Sequence, residues 1–196
     1  LTPFTGSPIM KRLLCRPDPT VDFQAIFRER KIVLFNFSKS VLQDVEARIA
    51  CGLTLTQLFG ASLARAHMPA QERFPVHLYV DEFQSIATAS TGKMLAEARK
   101  FNLGLTVAFQ NLGQLKSRFS GELTGTLLGN TATKLLFRLS PGDALMLDDY
   151  YKPHLDVADM TGLQDFHAAC VMPGQGNQSA AFVMRCMPPP QAPVDQ

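Results

Sequence analysis

The chain has no uninterrupted apolar stretch of about 20 residues, the length a membrane-spanning helix needs. It also has no charged-then-apolar leader pattern at its start. Its four cysteines, Cys15, Cys51, Cys170 and Cys186, stand far apart and form no CxxC pair. That spacing speaks against a zinc site or a disulfide framework and favours reduced thiols in the cytoplasm. A large charge of either sign is absent too: 19 basic residues face 17 acidic ones, for a net charge of +2. Bulk charge therefore gives no argument for nucleic-acid binding. Charged residues make up 18% of the chain, below the usual share of about a quarter. Some surface is therefore expected to be covered by further chain or by a partner. What is present is 46% apolar material over 196 residues, enough for the core of one domain or most of one. The chain opens at Leu1, in the middle of a pattern, which favours a segment of a longer protein.

The periodicities predict alternating helices and strands. A short apolar-basic patch, Ile9 to Leu14, suits one or two helical turns. Val21 to Arg28 suits a short helix with Asp18 or Thr20 near its start. Lys31 to Phe37 (KIVLFNF) is β-branched and aromatic, as expected of a buried strand. Leu42 to Ala66 is the longest helical candidate, with Leu42, Val45, Ile49, Leu53 and Leu63 near one face. Val76 to Val80, Leu103 to Phe109 and Thr133 to Leu139 read as further strands. Gly92 to Lys100, a segment ending near Leu128, and Asp143 to Tyr150 read as helices. Gln110 to Gly121 reads as a polar loop, and residues 170–172 and 180–184 as an edge hairpin. The expected fold class is α/β, with a mainly parallel sheet flanked by helices. The expected organisation is one folded part over residues 1–187 and a Pro-rich, disordered tail over 188–196.

In such a sheet, chemistry sits beyond the carboxyl ends of the strands. Those ends carry Asn36 and Ser38, Asp81 and Glu82, Gln110, and Arg138. The run His77-Leu78-Tyr79-Val80-Asp81-Glu82-Phe83 brings two adjacent carboxylates to a strand tip. A hard cation such as Mg²⁺ takes carboxylate oxygens, often through water, and a neighbouring glutamate suits the orientation of an attacking water. A solvated acidic turn, or Asp81 as a helix cap, is the alternative. Gln110 ends an apolar strand, where its amide suits a phosphate oxygen or the loop backbone. Arg99 carries a planar, permanent charge that suits a phosphate. Arg138 suits the same role or a purely structural pair with Asp143. Lys116 and Arg118 are basic residues of the loop that follows Gln110.

A phosphate-cradling loop of the form G-x-x-x-x-G-K-[ST] does not occur in the chain. The nearest stretch, Thr91-Gly92-Lys93-Met94, has Ala87 for the first glycine and Met94 for the hydroxyl residue. The ordered series around it is nonetheless specific. Val76 to Phe83 is followed by Ala96-Glu97-Ala98-Arg99-Lys100-Phe101-Asn102-Leu103, Phe109-Gln110 and Gln114-Leu115. Gly129-Asn130, Phe137-Arg138 and Asp143-Ala144 complete it. Over roughly residues 8 to 186 this series resembles the C-terminal half of the motor domain of type IV secretion and conjugation coupling proteins. These are TraD-like members of the HerA–FtsK group of P-loop NTPases.

The resemblance implies a partial RecA-like fold whose Walker A half is absent from the chain. It implies ATP and Mg²⁺ as cofactors once a Walker A segment is supplied. Asp81 is then the Mg²⁺-side acid of Walker B, Glu82 the residue that positions water, and Gln110 the γ-phosphate sensor. Arg99 is the arginine finger acting in trans, with Lys100 or Arg138 as substitutes. The implied partners are DNA through a homo-hexamer pore, with Lys116 and Arg118 on its phosphates, together with secretion-channel and relaxase proteins. The implied location is the cytoplasm, at the inner face of the bacterial membrane through other segments. A non-catalytic assembly or regulatory module, or another HerA–FtsK-type translocase or helicase, is the alternative.

Overall fold

The computed structural model describes residues 6–15, 17, 21–38, 42–87, 89–118, 121–174 and 180–188. The tail over 189–196, Asp18 and Thr20 lie outside the described residues. The chain divides into two compact units, Leu1–Leu127 and Leu128–Gln196.

The first unit opens with α1 (Pro8–Leu14) and α2 (Phe23–Arg28). Ser7 caps α1 from the position before Pro8, accepting from the Met10 N–H at 3.4 Å. Asp22 caps α2, its Oδ1 accepting from the N–H groups of Gln24 and Ala25 at 2.9 and 3.0 Å. These oxygens satisfy amide donors that the first helical turn leaves without partners. Next come α3 (Asp44–Leu63), a 3₁₀ turn over Ala64–His67, and β1 (Val76–Val80). After β1 lie the single-turn α4 (Phe83–Ile86), α5 (Ala89–Glu97) and a 3₁₀ turn over Ala98–Phe101. The unit continues through β2 (Leu103–Val107) and α6 (Leu112–Arg118) into α7 (Gly121–Asn130). β1 and β2 pair in parallel, with Val76 opposite Leu103 and Val80 opposite Val107. The expected α/β arrangement, a parallel sheet with helices about it, is present here.

Several local expectations change. α3 buries Ala47, Ala50, Cys51, Leu55, Leu58, Ala61 and Ser62. It leaves Val45, Leu53 and Leu63 exposed. The helix is apolar around much of its circumference, so Val45, Leu53 and Leu63 mark the wrong face. The buried stripe sets Leu55 and Leu58 among small residues, which admit neighbouring elements closely. Cys51 lies in that stripe, and burial pushes its thiol up to about 11. Lys31 to Phe37 keeps a period of two but joins no ladder. Phe35 and Phe37 stack at 6.2 Å, and Phe23 stacks on Phe35 at 6.2 Å. Ile32 and Leu34, on the alternate positions, are 96% and 93% exposed. A cavity of about 1290 Å³ lies between this segment, α3 and β1, and among the described residues no strand pairs with the segment. Within the expected loop 110–121, α6 is a helix. Its start is marked by Asn111, whose Oδ1 accepts from the Gln114 N–H at 3.1 Å.

The second unit holds β3 (Lys134–Leu136), α8 (Pro141–Tyr151), α9 (Val157–Thr161), β4 (His167–Val171) and β5 (Ala181–Arg185). The three strands form an antiparallel sheet in the order β3-β4-β5. The expected hairpin is therefore present as β4 and β5. β4 is the central strand, and its Ala168, Ala169, Cys170 and Val171 are all buried. α9 went unseen in the sequence because it is one short turn. It carries a capping box in which Asp156 and Asp159 each accept the other's backbone N–H at 2.9 Å.

One side chain ties the entry points of both parallel strands together. Arg65, 9% exposed, donates from Nη1 to the Phe74 carbonyl at 2.7 Å and from Nη2 to the Phe101 carbonyl. Its guanidinium lies 4.6 Å from the Phe27 ring centroid. Burial, with Arg73 nearby, pulls its pKa below the usual arginine range. Arg73 adds a second clamp, from Nη1 to the Lys100 carbonyl at 2.6 Å, while its own carbonyl accepts from Asn102 Nδ2 at 2.6 Å. Replacing Arg65 by Met removes the bond to each of two carbonyls and is expected to cost about 2 kcal/mol. Arg65→Lys should lose nearly as much, because one ammonium lacks the fork that spans both acceptors. Urea-unfolding midpoints of the two variants against the parent check this.

Candidate functional site

The site is built at the carboxyl end of β1, where the regular ladder breaks. Val80 is buried and its carbonyl accepts from the Ala108 N–H at 2.8 Å. In an unbroken parallel ladder of this register, the next amide to reach the Ala108 carbonyl is that of residue 82. Instead it is Phe83, at 2.9 Å. Asp81 and Glu82 together stand opposite Ala108, so the strand carries one extra residue, a bulge of the kind that re-aims side chains beside active sites. Glu82 absorbs the bend in the left-handed region, at φ 50° and ψ 38°. For a non-glycine residue that conformation costs about 1–2 kcal/mol. Such strain persists where surrounding structure over-determines it. Here Phe83, fully buried, anchors the following turn, and the Glu82 carbonyl accepts from the Ser85 N–H at 2.8 Å.

The bend presents two carboxylates in different states. Asp81 Oδ1 accepts from the Glu82 N–H at 2.8 Å, which ties it to the bulge. Glu82 is held by two side-chain amides. Gln84 Nε2 donates to its Oε2 at 2.6 Å, and Gln110 Nε2 donates to its Oε1 at 2.6 Å. Charge-assisted bonds of this length are among the stronger hydrogen bonds in proteins. Gln84 is buried on α4, whereas Gln110 is exposed just beyond β2. Asn36 and Ser38 line the 1290 Å³ cavity that also reaches Asp81, Glu82 and Ser85. The Asn36 Oδ1 accepts from the Ser38 N–H at 2.9 Å.

Of the residues singled out from the sequence, Asp81, Glu82 and Gln110 are thus brought together. Arg99 is not beside them. It sits, exposed, in the 3₁₀ turn that leads into β2, at the opposite end of the parallel strands. Lys100 is in the same turn. Lys116 is exposed on α6, and the side chain of Arg118 lies outside the described ones. Arg138 belongs to the second unit, where it pairs with Asp165. The pairing with Asp143 does not form, because Asp143 is buried in the first turn of α8, its N–H donating to Ser140 Oγ at 3.3 Å. Gln84 escaped the sequence reading. Its signal was its place in Asp81-Glu82-Phe83-Gln84, which becomes meaningful only once the bulge turns Glu82 back over α4.

Adjacent carboxylates of this kind fit Mg²⁺ as that ion is usually held, by one or two carboxylates with water and phosphate oxygens completing the shell. Among the described residues no group of three or more His, Cys, Asp or Glu is assembled around a common centre, so the carboxyl pair is at most one side of a metal site.

Residues 75–150 match the family described as the TraM recognition site of TraD and TraG. Among solved structures, the chain is similar to the bacterial conjugative coupling protein TrwBdeltaN70 in complex with sulphate, with a TM-score of 0.60 at 16% identity over 74% of this chain and 38% of that one. The plasmid coupling protein TrwB in complex with ADP and Mg²⁺ gives 0.60 and 16%, over 76% of this chain and 38% of that one. The genome packaging NTPase B204 from Sulfolobus turreted icosahedral virus 2, in complex with AMPPCP, gives 0.52 and 12%, over 86% and 72%. None of the curated proteins matches the chain. The chain spans less than two fifths of the length of the coupling-protein structures. The resemblance drawn from the sequence, to the C-terminal half of the motor domain of TraD-like coupling proteins, is supported by the family match over residues 75–150 and by the RecA-like fold shared with the coupling-protein and packaging-NTPase structures.

The two carboxylate–amide bonds make a direct thermodynamic prediction. A double-mutant cycle of Glu82→Ala and Gln110→Ala is expected to show a coupling of about 1 kcal/mol in urea unfolding. A cycle of Glu82→Ala with Lys116→Ala, which shares no partner, is expected to be additive.

Proposed function

We propose that this chain is the C-terminal portion of an ATP-driven motor that moves DNA, of the conjugation coupling type, working as a homo-hexamer. The observation that carries the reading is the strained bulge that sets Glu82 at the strand tip within 2.6 Å of the Gln110 amide. A carboxylate and an amide converging at the carboxyl end of parallel strands suit a water and a phosphate oxygen respectively. The matches to a conjugation coupling protein and to a genome packaging NTPase support a motor that handles DNA.

In this reading ATP with Mg²⁺ supplies the γ-phosphoryl group that is transferred to water. Asp81 would hold Mg²⁺ through water, Glu82 would orient the attacking water and accept its proton, and Gln110 would donate to a γ-phosphate oxygen. Arg99, far along the strands from its own Glu82, serves a neighbouring copy, where its fork neutralises transferred charge. Arg138, engaged by Asp165, is the weaker candidate for nucleotide contact, and Lys100 the weaker candidate for the finger. Lys116 and Arg118 would meet DNA phosphates without reading bases. Attachment to the inner face of the cell membrane would rest on segments outside this chain, and secretion-channel and relaxase proteins would be the further partners. No helix among the described residues is long and apolar enough to cross a membrane.

One observation favours a second reading from another class. The matched family is described as a recognition site for TraM, which suits residues 75–150 as a docking module on a motor. The same protein separates the two. In the motor that carries this segment together with a phosphate loop, Glu82→Gln is expected to lower kcat for ATP hydrolysis by about 100-fold or more. ATP binding should be kept. Unchanged turnover would rule out the catalytic assignment and leave the docking module.

A further inference from the structure

We infer that Gln84 is the positioning residue that keeps Glu82 aimed while Gln110 changes partner. The inference rests on the reading of Glu82 as the carboxylate that orients water. As the site stands, both carboxylate oxygens of Glu82 accept from amides, Oε2 from Gln84 and Oε1 from Gln110. The Gln110 bond takes one of the two acceptor sites on Oε1, so a water at that oxygen must share it with the amide. The two amides differ in their freedom. Gln84 is 4% exposed on α4, between the buried Phe83 and Ile86. Its burial hinders the rotamer change that would take it off Oε2. Gln110 is exposed beyond the end of β2, so a rotamer change releases Oε1.

The consequence is a division of labour on one carboxylate. When Gln110 donates instead to a γ-phosphate oxygen, Oε1 opens to the attacking water while Gln84 still holds Oε2. The carboxylate stays in register, because one of its two anchors is fixed in the core. Glu82 Oε1 then takes the water's proton as the water oxygen bonds to the γ-phosphorus. The bridging P–O bond breaks with its electron pair going to ADP, and phosphate is released. Glu82 passes that proton to the departing phosphate or to solvent, and with no γ-phosphate to attract it Gln110 returns to Oε1, so the carboxylate is occupied again. Glu82 is thereby kept from acting until nucleotide is in place, and the left-handed backbone at Glu82 keeps its side chain within reach of both amides.

The test is steady-state ATP hydrolysis by the complete motor carrying Gln84→Met, which keeps the side chain's length and removes its amide. Because Gln84 touches Glu82 and not the nucleotide, kcat is expected to fall about tenfold, with KM for ATP within about twofold of the parent. A folded Gln84→Met protein with parental kcat overturns the inference. So does one in which KM rises as far as kcat falls. Glu82→Gln, run in parallel, separates this from the reading beneath it. Full activity in Glu82→Gln sinks the catalytic assignment itself. Loss in Glu82→Gln beside full activity in Gln84→Met sinks only the role of Gln84. Should Gln84→Met fail to fold, the parent protein decides by NMR. The side-chain amide protons of Gln84 are expected to exchange with solvent about tenfold more slowly than those of Gln110. Equal rates would overturn the distinction between a fixed and an exchangeable amide.

Discussion

Ala108 bonds across to Val80 on one side and to Phe83 on the other, and the site follows from the residue count between them. One residue more than a regular ladder allows must be accommodated, and Glu82 accommodates it by turning left-handed. Without the extra residue, the Glu82 N–H would be spent on Ala108 and its side chain would follow the plain alternation of the strand. With it, that N–H goes to Asp81 instead, so the same distortion orders both acids. The cost is local and is offset by the buried turn that begins at Phe83.

The other end of the parallel pair needs an equally firm hold, because the tip can be no better positioned than the strands beneath it. Arg65 and Arg73 provide it by capping backbone carbonyls where the chain enters β1 and β2. Neither guanidinium relies on a carboxylate for this. Charge is thus used as a source of several directed N–H donors, and the π face of Phe27 takes up part of the desolvation cost. The two arginines and the bulge divide the sheet into a fixed base and a shaped tip.

Much of this tip was legible in the residues. A short apolar run ending in Asp81-Glu82, and a second ending near Gln110, predict strands whose tips share an edge, and β1 and β2 do so. Three features were not legible. The bulge depends on which amide reaches Ala108, a matter of register between segments more than 20 residues apart, so Gln84 gave no sign of its contact. The buried face of α3 is drawn largely by small residues around Leu55 and Leu58, whose signal is weaker than that of Val45, Leu53 and Leu63 left outside. Lys31 to Phe37 has the composition and alternation of a strand, yet strand formation needs a neighbour at hydrogen-bonding distance. Composition says nothing about whether one is there. Arg138 shows the same limit for charges, since two aspartates were available to it and only the fold chose Asp165.

Among the described residues β1 pairs with β2 alone, and the cavity beside it is faced by a segment with strand alternation and no ladder. Ile32 and Leu34 stand almost fully exposed there. An open edge next to bare aliphatic side chains is a template for strand addition from another molecule. Lysines at positions 32 and 34 would act as gatekeepers against self-association.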